Sequence, residues 1–171
     1  MIVHSFNESL RLSHKQANAP WWEIAYRQAF PGFAAMTCVR NDGWAQRGGI
    51  DRVITLESGK TISVDEKVRD KDYGDVLLEH TSDEGRGGAG WIEKDLACDY
   101  IAYAIIPTRT CYLFPFLQLR RAWLDHGKYW RTQFRSIRAQ NPTYVTVSTA
   151  VPTEILFGAL EHAMRVTWAT A

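Results

Sequence analysis

Hydrophobic and polar positions alternate most clearly between Ile50 and Arg69, IDRVITLESGKTISVDEKVR. Ile50–Leu56 and Lys60–Arg69 are rich in Val, Ile and Thr, and read as the two strands of a β-hairpin. Glu57-Ser58-Gly59 lies between them, and a three-residue hairpin loop wants positive φ at its third position, which Gly59 supplies. In that register Leu56 faces Lys60 and Asp51 lies across from Asp65. Side chains alternate faces along a strand, so Lys67 shares the face of Asp65, while Ile62, Val64 and Val68 point the other way into apolar packing.

The periodicity changes on either side of this hairpin. Trp21, Ile24, Ala25 and Ala29 recur at helical spacing and predict a core-facing helix to about Phe30, capped by Asn18, with Pro20 in its first turn and Pro31-Gly32 ending it. Ala34–Arg40 reads as a first strand and Asn41-Asp42-Gly43 as a turn. Val76–Glu79 is a further strand. Trp91–Tyr100 has helical character, and the segment after it pairs with Thr110–Pro115 around a turn at Pro107-Thr108. Leu117 to about Arg138 predicts a long helix that turns Trp123, Trp130, Phe134 and Ile137 inward. Tyr144–Thr149 reads as a strand at the sheet edge, and Pro152 opens a last helix burying Ile155, Leu156, Ala159, Leu160 and Ala163. Together these elements predict one α/β domain over residues 1–171, a mixed central β-sheet flanked by helices.

Composition narrows the function classes. Apolar and charged fractions are those of an ordinary globular domain, no run of eighteen apolar residues is present, and no signal-peptide pattern is expected. Cys38, Cys98 and Cys111 are odd in number, lack metal-ligand spacing and read as buried free thiols in a reducing cytoplasm. The five histidines are scattered, so neither a zinc site nor a Ser-His-Asp arrangement is read. Net charge is +1, so any nucleic-acid surface must be local. The seven tryptophans read as core rather than as base-stacking platforms.

The chemistry is carried by the hairpin. Two neighbouring carboxylates repel unless a cation or a proton neutralises them. Mg²⁺ takes one or two carboxylates and fills its remaining sites with water and phosphate oxygens, and a lysine alongside can orient a water or offset charge growing on phosphorus. An acid near one strand, here Asp51 in Gly49-Ile50-Asp51, followed by Asp65-Glu66-Lys67 on the next, resembles the PD-(D/E)XK nuclease superfamily, with the proline of the family name absent. The segment QRGGIDRVITLESGKTISVDEKVR is similar to phage and prophage proteins carrying this signature. The resemblance implies a restriction-endonuclease-like core and an Mg²⁺- or Mn²⁺-dependent deoxyribonuclease. In it Asp51 and Asp65 hold the ion and Lys67 assists the attacking water. It further implies a DNA partner, an enzyme of the host-cell cytoplasm if phage-encoded, and a homodimer as in many related enzymes. The residues do not separate DNA from RNA. The alternative is a non-catalytic nucleic-acid- or protein-binding module of phage origin that keeps the fold. As a plain surface ladder, Asp65 and Lys67 would be solvated and Asp51 would pair with Arg52 or Arg69.

Further candidates surround this set. The resemblance makes Glu23 a supporting glutamate, against an exposed pair with Arg27. Glu79, on the strand after the signature, reads either as an additional ligand or as a charge that protects a sheet edge. Glu66 points away from Asp65 in this register and would replace it in a shifted one. Arg47 reads as a DNA-backbone contact or an exposed loop arginine. Lys128, Arg131, Arg135 and Arg138 follow helical spacing as a cationic stripe, suited to phosphate contact or to a solvated helix face. Gly85, Gly87 and Gly90 match GxGxxG, but antiparallel hairpins precede them and Asp83-Glu84 would repel a pyrophosphate, so a mobile loop is expected there.

Overall fold

The computed structural model describes residues 4–5 and 15–169. The chain is mixed α/β, as its periodicity predicts, and its contacts divide into two compact units. Of the described residues, one unit holds 15–72, 96–116 and 162–169, and the other holds 73–95 and 117–161 with the N-terminal strand.

The first unit is built on a six-stranded sheet. Its strands are β2 (Phe33–Cys38), β3 (Arg52–Leu56), β4 (Thr61–Arg69), β7 (Tyr100–Ile105), β8 (Thr110–Pro115) and β11 (Met164–Thr167), in the order β11-β8-β7-β4-β3-β2. Only the β4–β7 pair is parallel; the others run antiparallel. Helix α1 (Trp21–Ala29) packs on the face that carries Ile54, Val64, Val68, Ala102, Ala104 and Leu113. Its buried residues are Trp22, Ala25, Tyr26 and Ala29, so the buried face is rotated from the one the spacing predicts. Ile24 is exposed, and Trp21 is half-buried against Trp168 with ring centroids 4.3 Å apart. Asn18 does not cap the helix: Pro20 is the N-cap residue, with no side-chain cap bond. Asn41-Asp42-Gly43 is not a bare turn, since Asp42 accepts from the Trp44 and Ala45 N–H groups and caps the short helix α2 (Gly43–Arg47). Cys98 and Cys111 are buried free thiols as expected, but Cys38 is exposed.

The second unit carries a five-stranded sheet, β1 (His4–Ser5), β9 (Ser136–Gln140), β10 (Val145–Pro152), β5 (Asp75–Asp83) and β6 (Gly88–Ala89), in that spatial order. Helix α3 (Phe116–Gln133) ends five residues before Arg138, because Ser136–Gln140 pairs with β10 instead of continuing the helix. β10 lies between β9 and β5 and is therefore an interior strand, not an edge. The helical character read at Trp91–Tyr100 amounts to one 3₁₀ turn, Trp91–Glu93. The glycine-rich segment is a hairpin between β5 and β6, followed by that single 3₁₀ turn and not by the α-helix a pyrophosphate site needs. Gly90 is required there, since a Cβ would meet the Glu79 carbonyl oxygen at 2.2 Å. Helix α4 (Thr153–Ala159) buries Thr153 and Leu156, while Ile155 is exposed. The residues after it enter β11, a strand absent from the periodicity reading.

Candidate functional site

The hairpin has the register its loop length predicts. β3 pairs with β4 through Arg52↔Val64, Val53↔Ser63, Ile54↔Ile62 and Thr55↔Thr61. Gly59 has φ +81°, and the Leu56 N–H donates to the Lys60 carbonyl at 2.8 Å. Asp51 immediately precedes β3; its N–H donates to the Val64 carbonyl and its own carbonyl accepts from the Val39 N–H, both at 2.9 Å. Its side chain turns toward β4, where Oδ2 accepts the Glu66 N–H at 2.8 Å. Lys67 Nζ donates to both oxygens of Asp65, at 2.8 and 2.7 Å.

Burial sets the electrostatics. The Asp51 carboxyl is pushed up from 3.8 to about 6, first by burial and then by the charge of Asp65. Arg40, the Glu66 N–H and Lys67 pull in the opposite direction without cancelling that rise. Cys98 adjoins Asp65, and burial, followed by that carboxylate, pushes its thiol up to about 12. The thiol therefore stays protonated and is not a nucleophile here.

Behind this face is a second charged cluster. Glu66 points to the α1 side with its carboxylate fully buried. Tyr26 Oη donates to Glu66 Oε1 at 2.8 Å, Arg52 Nε to Oε1 at 2.5 Å, and Arg40 Nη2 to Oε2 at 2.9 Å. The same Arg40 nitrogen is 3.4 Å from Asp51 Oδ2 and so links the two clusters. Burial, then Glu66, raises the Tyr26 hydroxyl well above its ordinary value, which keeps it a proton donor. In all, Arg40, Arg52 and Lys67 face Asp51, Asp65 and Glu66, three formal charges of each sign.

The donor set at Asp51 and Asp65 fits a hard divalent cation. All donors are carboxylate oxygens, and Asp51 lies near enough to Asp65 for the charge of Asp65 to add to the rise that burial gives Asp51. The set is not a protein cage: among the described residues no group of three or more His, Cys, Asp or Glu side chains is placed to hold a metal. An ion here would complete its shell with water and phosphate oxygens.

The remaining candidates fall elsewhere. Glu66 is on the opposite face of β4 from Asp65, held by the two arginines, and is not a ligand candidate. Glu23 pairs with Arg27 at 2.7 Å on the exposed side of α1, so it is not a supporting glutamate. Glu79 is on β5 of the other unit, opposite Ser148 of β10, and β6 on the far side of β5 pairs only with Thr81 and Asp83. Arg47 is exposed in the last turn of α2. Gly48 and Gly49 give close approach to chain, not to a phosphate: a Cβ on Gly49 would meet Leu96 at 2.7 Å, and the Gly48 carbonyl accepts the Ala97 N–H at 2.8 Å. Lys128 and Arg131 are exposed on α3. The stripe stops there, because Arg135 and Arg138 lie beyond the helix. Arg135 pairs with Asp75 at 3.1 Å, and Arg138 on β9 pairs with Glu84.

Sequence reasoning missed Arg40 and Tyr26, and offered Arg52 as a partner of Asp51, whereas Arg52 pairs with Glu66. A signal for one pair was present, since the register sets Arg52 opposite Val64, one diagonal step from Glu66 and on the same apolar face. A charge of each sign on an otherwise apolar face marks a buried ion pair. Comparison with family models, with curated proteins and with solved structures finds no match.

Proposed function

We propose that this chain is a metal-dependent nuclease that hydrolyses phosphodiester bonds in DNA, on a restriction-endonuclease-like core. The observation that carries the reading is the closeness of Asp51 and Asp65, where burial and the Asp65 charge push the Asp51 carboxyl up to about 6, with Lys67 bonded to Asp65 on the same face. Mg²⁺ or Mn²⁺ would be held by Asp51 and Asp65, and when bound would polarise the scissile phosphate and acidify an attacking water. The chain's own part is to fix geometry and charge. The Glu66 N–H and Arg40 orient the Asp51 carboxylate. Lys67 supplies an ammonium that can meet the negative charge growing on the phosphate oxygens or orient a water. The buried Glu66 cluster ties α1, β3, β4 and the turn after β2 together behind these groups, as a site of this kind needs.

The close Lys67–Asp65 pair favours a second reading, a non-catalytic binding module, because it already neutralises one carboxylate. Cleavage of labelled duplex, single-stranded and branched DNA in Mg²⁺, Mn²⁺ or EDTA separates the two. Metal-dependent cutting that disappears in Asp65→Ala and in Lys67→Ala is the expected result. Cutting that persists in both variants would remove the site, and binding without cutting would leave the second reading.

A further inference from the structure

We propose that Lys67 is a built-in competitor for the cation site: its ammonium occupies Asp65, and a divalent cation enters only as Lys67 leaves. This rests on the metal-site reading above and adds a regulation to it.

Three observations carry it. First, Lys67 Nζ engages both Asp65 oxygens, at 2.8 and 2.7 Å, so an ion reaching either oxygen would lie against the ammonium while the pair persists. Asp51 is held differently: Oδ2 takes a backbone N–H and faces Arg40 at 3.4 Å. Second, the local charge is already balanced, with Arg40, Arg52 and Lys67 against Asp51, Asp65 and Glu66. Adding a dication without moving a cation would leave two uncompensated positive charges in a mostly buried cluster, which is costly. Third, Lys67 is the most exposed of the three cations. Its side chain is 28% exposed, against 16% for Arg40 and 4% for Arg52, and both arginines are bonded to the buried Glu66.

The consequence is a threshold. A monovalent ion offers Asp65 no more charge than the ammonium it would displace, whereas a divalent ion offers twice as much, so the pair selects for dications. The ammonium is released when the ion arrives, which frees it to meet a phosphate.

The test is Mn²⁺ binding to the full chain by titration calorimetry, comparing wild type, Lys67→Met, Lys67→Gln and Lys67→Met/Asp65→Asn. Both single variants should bind Mn²⁺ about tenfold more tightly or better, and the double variant should lose that gain. Unchanged or weaker binding in Lys67→Met and Lys67→Gln, still dependent on Asp65, would overturn the competition and leave the metal site standing. No Asp65-dependent binding in any of these proteins would overturn both. Acylation of wild-type Lys67 by an amine-reactive ester, followed by mass spectrometry, separates occupancy from long-range charge. Saturating Mn²⁺ should speed it several-fold, and an unchanged rate would refute displacement.

Discussion

Glu66→Gln tests the cluster on which the site depends. The substitution keeps the size of the side chain and removes its charge. The wild-type carboxylate is fully buried and accepts from Tyr26, Arg40 and Arg52. Arg52 is 4% exposed and its Nη2 also donates to the Ala17 carbonyl, so it cannot turn to water without releasing the segment before α1. Arg40 is better placed, because Asp51 is already 3.4 Å from its Nη2. The loss therefore amounts to one uncompensated buried guanidinium, and removing one partner of a buried pair costs roughly 3–5 kcal/mol. For a chain of this length that corresponds to a fall in Tm of roughly 10 °C. Thermal unfolding followed by circular dichroism, with urea titration in parallel, measures it. Glu23→Gln is the control: its pair with Arg27 is exposed and is worth less than about 0.5 kcal/mol. A Glu66→Gln protein within about 1 kcal/mol of wild type would refute the view that this carboxylate anchors α1 and the hairpin. Arg52→Met/Glu66→Leu should recover much of the loss, since an apolar pair leaves no charge stranded.

Two further outcomes are expected. The folded Asp51 carboxyl stands at about 6 against an ordinary 3.8, so between these values the folded protein holds a proton that the unfolded chain lacks. This group's contribution to stability therefore falls as pH rises through that window, and Asp51→Asn, which can still accept the Glu66 N–H, should stabilise the protein by about 1–2 kcal/mol at pH 7.5 in EDTA, with no gain below about pH 4; an equal gain at both pH values would contradict it. On α3, Lys128→Glu/Arg131→Glu should weaken DNA binding and lower the slope of log affinity against log salt by about two, and an unaltered slope would make that face plain solvated surface.

The hairpin was legible because everything that specifies it is local. A three-residue loop ending in Gly59 fixes the pairing, and strict alternation then assigns Asp65 and Lys67 to one face and Val64 and Val68 to the other. The α/β class follows in the same way from segments whose period belongs to helix or strand. What only the tertiary structure decided depends on partners distant in sequence. Ser136–Gln140 continues a helical spacing of cations, yet it becomes a strand because β10 offers a full ladder of backbone partners. The buried face of α1 turns to Trp22 and Tyr26, which pack in the core with Ile54, Val64 and Val68, and there the Tyr26 hydroxyl meets Glu66, forty residues away. Periodicity states which face a side chain occupies, but it carries no information about what lies across that face. Glu66 could therefore be oriented away from Asp65 by sequence alone, while its arginines, and the link through Arg40 back to Asp51, exist only in the folded chain.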